Sequence, residues 1–233
     1  MPRLGVRLET LQTAHRGLVL DRYVPVKTEQ DKKESRRPLL ERVVNLNSGD
    51  GIYPLAYRRW EALARSLADP VILECRLRDR LALGLGIESV QEIGCRVHAT
   101  YGVPVIPGSS LKGVLREFVA RSFPDEANFL FGGPDLAGFA RVHDAWWVPG
   151  TGRGFALDVI TVHHQEYYSG KSAPVDTESP IPVQFLAITG KFLFVLEAPN
   201  AAWSKFLAAA LKSLLSTEGL GAKRSAGYGR FQL

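Results

Sequence analysis

The C-terminal stretch Phe185–Leu233 constrains the fold more than any other part of the chain. Phe185–Leu196 is an almost unbroken apolar run, interrupted at Thr189-Gly190-Lys191, and reads as a strand. Asn200 then offers a helix cap, after which Trp203, Phe206, Leu207, Ala210, Leu211, Leu214 and Leu215 recur at helical spacing. Gly219 suits the end of that helix, and Tyr228–Leu233 reads as a final strand. The segment is a β-α-β unit.

A second such unit precedes it. Val71–Leu83 alternates apolar and charged residues for much of its length, with Leu73, Cys75 and Leu77 set against Glu74, Arg76 and Arg78. Residues 84–108 are glycine-rich and irregular. A helix starting at Ser109 or Ser110 places Leu111, Val114, Leu115, Phe118 and Val119 on one stripe, and Pro124 marks its end. Phe139–Val148 reads as the next strand. Between the two units, residues 149–184 form a long excursion with Pro149, Pro174, Pro180 and Pro182, and a loop of that length inside a compact domain is usually functional. The expected fold class is α+β. It is a ferredoxin-like (RRM-like) βαββαβ core over residues 69–233, with the insertion at about 149–184 between the second and third strands. Residues 1–68 form an N-terminal extension, partly helical or mobile. Within it a short helix is expected around Leu55–Leu67, with Ala56, Trp60, Leu63, Ala64 and Leu67 on one face. The charge-dense residues 27–42 read as a solvated or mobile segment.

The net charge of +5 favours an acidic partner without distinguishing RNA from DNA or an anionic membrane. No apolar run approaches the roughly 20 residues needed to span a bilayer, and the first residues lack the apolar stretch of a signal peptide. Cys75 and Cys95 are too few for a four-ligand zinc site and read as free thiols. The expectation is a cytoplasmic protein with no cofactor, no metal and no membrane partner.

Two clusters suit a polyanion. In Gly219–Arg230, Gly219, Gly221, Gly227 and Gly229 are interleaved with Lys223, Arg224, Tyr228 and Arg230, and no acid is present. Glycine lets a backbone approach a ligand closely, and the three cations would meet phosphates. These glycines follow a helix, whereas those of a dinucleotide or P-loop site precede one. The second cluster is Val105–Arg116. There Ser109 or Ser110 would cap a helix whose N-terminal amides can receive an anion. Lys112 sits in the first turn, where the helix dipole disfavours a cation, and Arg116 shares its face. In a ferredoxin-like fold the two clusters could flank the same side of the domain. Tyr228 is the best candidate for stacking on a base.

Ile106–Gly113 followed by Leu115-Arg116, then Phe129–Gly132, then the terminal glycine loop resemble the RAMP superfamily of CRISPR-associated RNA-binding proteins. Asp158–His164 with Tyr167-Tyr168, and Pro174–Pro182 before Phe185-Leu186, resemble the sixth-subunit family of the Cmr (type III-B) effector complex. The likeness covers about residues 71–233. One departure is Val162-His163-His164, where the family often has Pro before the histidine. The resemblance implies a subunit that binds guide RNA by shape and backbone and caps the filament near the guide 3′ end. It implies contact with target RNA and with other Cmr subunits, chiefly the repeated backbone RAMP subunit, to which target cleavage is assigned. No catalytic residue carries over.

Two other functions compete. A metal-independent endoribonuclease could use His98, His143 or His163 as general base. A protein-only assembly cap would use its charge for a neighbouring subunit. His163 and His164 are adjacent, so on a strand they face opposite sides and would chelate one metal poorly. Asp144 reads as a structural hydrogen-bonder, and one of Trp146 and Trp147 as core.

Overall fold

The alternation of Val71–Leu77 becomes strand β1 (Val71–Leu77), with Val71, Cys75 and Leu77 buried and Glu74 and Arg76 exposed. The computed structural model describes residues 14–22, 29–46, 51–87, 89, 93–133, 135–162 and 181–233. Six strands form the main sheet, which is antiparallel throughout. They are β1, β2 (Val105–Ile106), β3 (Arg141–Val142), β4 (Ala145–Trp147), β7 (Lys191–Glu197) and β8 (Phe231–Gln232). Their order is β2-β4-β7-β1-β8, with β3 also beside β7. The central pairing sets Val71 opposite Leu196 and Arg76 opposite Lys191. At one edge, Val105 lies opposite Trp146; at the other, Leu77 lies opposite Phe231. The fold is mixed α/β with antiparallel sheets.

The 149–184 excursion is more regular than the sequence suggests. Its described part is an antiparallel ribbon of β5 (Phe155–Val162) and β6 (Ile181–Ile188), in register from Phe155 opposite Ile188 to Val162 opposite Ile181. The apolar run Phe185–Leu196 therefore splits at Thr189-Gly190, its first half in the ribbon and its second in the main sheet. Three further boundaries differ. The 71–83 strand stops at Leu77, because Leu81 and Ala82 leave the β1–β8 ladder to bridge Ile188 and Ala222. The 139–148 strand breaks at His143-Asp144, where the Asp144 side chain accepts from the amide of Gly108, the first residue of an earlier helix. A short strand, β2, lies in the stretch expected to be irregular.

Six helices complete the described chain: α1 (Arg16–Arg22), α2 (Glu29–Asn45), α3 (Ile52–Arg65), α4 (Gly108–Ala120), α5 (Pro124–Phe131) and α6 (Ala201–Thr217). Pro124 starts a helix rather than only ending one. Its fixed φ suits the first helical position, where its missing N–H leaves no bond unmade. Helix α6 follows the sequence reading closely. The Asn200 side chain accepts from the amides of Ala202 and Trp203, both at 3.1 Å, and Leu207, Leu211, Leu214 and Leu215 are buried.

The N-terminal region differs from the solvated segment expected over 27–42. Residues 29–45 are helical, and Leu39, Leu40, Val43 and Leu46 join the same core cluster as Phe192, Leu211 and Phe231. Arg16 pins that region down. Its guanidinium donates to the carbonyls of Val43 (3.1 Å) and Leu46 (2.5 Å) at the C-terminal end of α2 and sits over the Phe155 ring. Burial lowers its pKa to about 10. Helix α3 buries Tyr53, Tyr57 and Ala64, while Leu63, expected on the inner face, is exposed. The large rings win the inner face because each removes more apolar area from water than a leucine.

Even-numbered β1 residues face α3, and odd-numbered ones face α6. Glu74 lies opposite Leu193, which lies opposite Trp146, and Trp146 packs against Tyr53 and Trp60 of α3. Trp147 is fully buried, its ring also stacked near Tyr53 and its Nε1 donating to the Thr189 carbonyl at 3.0 Å. Both tryptophans are thus taken up by packing.

Candidate nucleic-acid interface

The first cluster is built around the start of α4. Pro107 occupies the cap position, and no side chain of the helix caps it. Ser109 and Ser110 lie inside the first turn and are exposed, so neither is the cap that the sequence suggested. The helix begins one or two residues early because Gly108 is buried against β3, where a Cβ would collide with the Val142 carbonyl. Asp144 takes over the capping role, its Oδ1 accepting from the Gly108 amide at 2.7 Å. The positive end of α4 therefore already faces one carboxylate, and the amides of Ser109 and Ser110 remain outside the intrahelical ladder. Lys112 is half-buried on the same turn. One turn on, Arg116 is exposed and donates to Asn128 Oδ1 at 3.2 Å.

The second cluster is the terminal loop. Gly219, Gly221, Gly227 and Gly229 all have positive φ, as does Lys223 at 57°. Gly219 is buried against the Gly229 backbone and Gly229 against that of Leu220, and a Cβ at Gly221 would strike the Ala82 carbonyl. Their glycine requirement comes from the protein's own backbone, not from a ligand. Gly227 alone among the four has open space around it. Lys223 and Arg230 are exposed, and a single 3-10 turn, Arg224–Ala226, lies between them. Arg224 is 3.6 Å from Glu218, which also accepts from Arg121 at 2.6 Å. The Arg121 hydrogen bond holds the Glu218 carboxyl below the usual range. Tyr228 is half-buried: its hydroxyl donates to Asp158 Oδ2 at 2.5 Å and its ring packs toward Phe185. That hydroxyl is engaged before any base arrives.

The two clusters do not flank one side. Helix α4 leaves the sheet from β2 at one edge, and the loop enters β8 at the other, four strand spacings away, or about 19 Å. The contact between them runs through the far end of α4, where Arg121 meets Glu218. Ser109 is twelve residues from Arg121, which is about 18 Å along the helix. Lys112 and Arg116 lie between these ends.

A model of the family described as "RAMPs: RAMP superfamily" matches residues 59–232. The chain belongs to the RAMP superfamily. This RAMP protein is 27% identical to the CRISPR system Cmr subunit Cmr6 of Pyrococcus furiosus, over 77% of the chain and 72% of that relative. It is 28% identical to the CMR subunit Cmr6 of Saccharolobus solfataricus, over 70% of the chain but only 57% of that relative's length. Among solved structures, a chain of the type III-B Cmr-beta complex bound to cognate target RNA superposes with a TM-score of 0.72. That match has 26% identity and covers 89% of this chain and 75% of the other.

His143 and His98 of the RAMP chain are engaged in hydrogen bonds and packing. The His143 ring lies 2.8 Å from Glu197 Oε1 and packs edge-on against Trp60. His98 accepts from the Thr100 amide at 3.1 Å and packs against Tyr101 and Trp146. Burial lowers the His98 pKa. His163 and His164 lie outside the described residues. Among the described residues no group of His, Cys, Asp and Glu is arranged to hold a metal ion, and Cys75 and Cys95 are free thiols. No helix among them is long and apolar enough to cross a membrane.

Two features escaped the sequence reading. Asp158 receives Arg80 Nη1 at 2.8 Å as well as Tyr228, tying the ribbon to the end of β1 and to the terminal loop. Burial alone would raise the Asp158 carboxyl, but hydrogen bonds from Tyr228 and Arg80 override it and hold the pKa below the usual range. The second is an aromatic surface formed by Phe123, Phe129, Phe139, Trp203 and Phe206, whose rings contact one another in a chain. Phe139 is 63% exposed and its neighbour in sequence Leu136 is 77% exposed. Phe129 was legible only as part of a family motif, and nothing in its spacing distinguishes an outward from an inward ring.

Proposed function

We propose that this chain is a non-catalytic guide-RNA-binding subunit of a type III-B CRISPR (Cmr) RNA-targeting complex, capping the backbone filament near the guide 3′ end. The observation that carries the reading is the superposition over 89% of the chain on a component of a Cmr-beta complex bound to target RNA. The Cmr6 relatives support it from sequence. Residues 69–233 form the RNA-binding domain, and the strand order β8-β1-β7-β4, with helices between β1 and β4 and between β7 and β8, supports a ferredoxin-like core. The β5–β6 ribbon occupies the place of the insertion.

In this reading Lys112, Arg116, Lys223, Arg224 and Arg230 hold phosphates, and the amides of Ser109 and Ser110 receive one at the start of α4. Phosphate contacts position a strand without specifying its sequence, so guides of any sequence fit. Gly219, Gly221 and Gly229 shape the loop from within, Gly227 gives close approach, and Tyr228 orients the loop against the ribbon. The aromatic surface suits a neighbouring Cmr subunit, since contiguous exposed apolar patches mark interaction sites. The test is binding of labelled guide RNA across a salt series. Replacing Lys223 and Arg224 by Ala is expected to flatten the log K against log salt slope by about 1.4, the share of two contacts to a single strand. An unchanged slope removes those residues from the interface. Specific cleavage of repeat RNA by the purified chain without added metal would instead establish the endoribonuclease reading.

A further inference from the structure

The exposed end of the sheet carries two arginines, Arg76 and Arg78, that neither cluster includes, beside Arg230 of the terminal loop. Along β1, Arg76 is exposed on the face that carries Glu74 and α3. The β1–β8 register places Arg76 opposite Gln232 and Leu77 opposite Phe231. It continues one step further, with the Arg78 amide donating to the Arg230 carbonyl at 2.9 Å. Arg78 and Arg230 are therefore cross-strand neighbours, and both are exposed. Lys191 lies opposite Arg76 on the other side and is held by Glu74 at 2.9 Å.

Like charges set directly opposite across two strands destabilise the pair. Among the described residues no acid pairs with Arg78 or Arg230. Glu74 is taken by Lys191, and Asp158 by Arg80 and Tyr228. Asp79 reaches Arg80 at 3.8 Å rather than Arg78. Arg76 and Arg230 have no side-chain partner among the described residues. Arg78 donates through its Nε to the Phe231 carbonyl at 3.2 Å, and its terminal nitrogens have no partner among the described residues.

We infer that Arg76, Arg78 and Arg230 form a second phosphate-binding surface, which holds an extended single-stranded polynucleotide along the β8 edge. Same-face residues on a strand repeat at about 6.6 Å, a step that successive phosphates of an extended strand can follow. Arginine's planar fork matches phosphate oxygens in two-point contact, and a phosphate relieves the repulsion between the facing guanidinium groups. Arg230 makes the strip continuous with the terminal loop. Strand passage from Lys223 then runs down the sheet edge, away from Ser109 at the opposite edge. An acidic protein segment would meet the same charge, but Arg76 and Arg78 one same-face step apart, with Arg230 opposite Arg78 and leading to Lys223, favour a polyanion whose charges continue into the terminal loop.

This inference extends the RNA-binding reading and is tested beside it. Fluorescence anisotropy of the full chain with labelled single-stranded RNA is followed between 50 and 200 mM salt, on the order used for counterion-release slopes. The variants are Arg76→Gln with Arg78→Gln, and separately Lys112→Ala with Arg116→Ala. The expected result for the first pair is a slope flatter by about 1.4, with a melting temperature close to that of the parent, because loss of the Arg78 bond to the Phe231 carbonyl offsets relief of the repulsive pair. A residue needed only for folding would lower the melting temperature instead. Arg76→Gln alone, which breaks no contact among the described residues, carries the same test with about half the slope change. An unchanged slope in the arginine variants, with a flattened one for Lys112 and Arg116, overturns the strip and leaves the RNA-binding reading standing. Unchanged slopes in all variants, or no salt-dependent binding by the parent, overturn both. If RNA binding is unchanged but co-assembly with another subunit is lost, the strip belongs to a protein contact and the inference fails.

Discussion

Asp158 offers the sharpest check on how the ribbon is held. Its carboxylate accepts from Tyr228 Oη at 2.5 Å, Arg80 Nη1 at 2.8 Å and the Val159 amide at 2.9 Å. Hydrogen bonds to a charged group contribute about 1.5–3 kcal/mol each. The Arg80 side chain is 36% exposed, so its share falls toward the limit of about 1 kcal/mol or less for exposed pairs. Asp158→Ala should therefore cost about 2–3 kcal/mol and Tyr228→Phe about 1.5 kcal/mol. At roughly 2–4 °C per kcal/mol for a chain of this size, thermal unfolding of Asp158→Ala should begin to fail about 5–10 °C early. The double variant should be less destabilised than the sum, with a coupling of about 1 kcal/mol or more. The pH dependence has a definite sign. Because the folded carboxyl sits below its unfolded value near 3.9, its contribution is complete above that value. It is lost as pH falls through the lower folded value. Asp158→Asn should flatten stability in that acid window and leave the neutral-side profile unchanged in shape. Additive single and double variants, within about 0.5 kcal/mol, would refute the latch.

Further outcomes follow from the loop, the helix cap and the aromatic surface. Gly229→Ala should unfold or severely destabilise the chain, since the new Cβ would collide with the Leu220 backbone. Gly227→Ala has open space and should cost only about 1–2 kcal/mol of left-handed strain; circular dichroism melts separate the two. Asn200→Ala removes both bonds at the start of α6 and should cost about 1 kcal/mol in denaturant unfolding. Leu136→Ser should move stability by only about 0.5 kcal/mol and Phe139→Ser by about 1 kcal/mol, since it also loses the stack on Phe129, yet the pair should abolish co-purification with neighbouring Cmr subunits. Intact co-purification would remove that surface from assembly.

Periodicity sufficed where one face was apolar and the other was not. Helix α6, its Asn200 cap and the alternation of β1 were legible because burial on one side is written directly into residue order. The start of α4 lies one or two residues earlier than its serines suggest. What fixes it is Gly108 lying under the β3 backbone and Asp144 reaching across from thirty-six residues away, contacts that no local pattern records. The same holds for the loop glycines, whose neighbours Leu220, Ala82 and Gly229 supply the steric demand first attributed to a ligand. The separation of the two cationic clusters depends on β2, a two-residue strand that carries the chain to the far edge of the sheet before α4 begins. Helix α2 was hidden because its charged first half masks the buried Leu39, Leu40 and Val43 of its second.

The central claim is that this surface holds guide RNA, and photo-cross-linking tests it most directly. The chain would be assembled with its complex on a guide carrying photoreactive nucleotides near the 3′ end, digested, and the RNA-bearing peptides identified by mass spectrometry. Cross-links within Ser109–Arg116 and within residues 222–230 are the expected result. A complex that protects its guide while neither segment carries RNA would contradict the account.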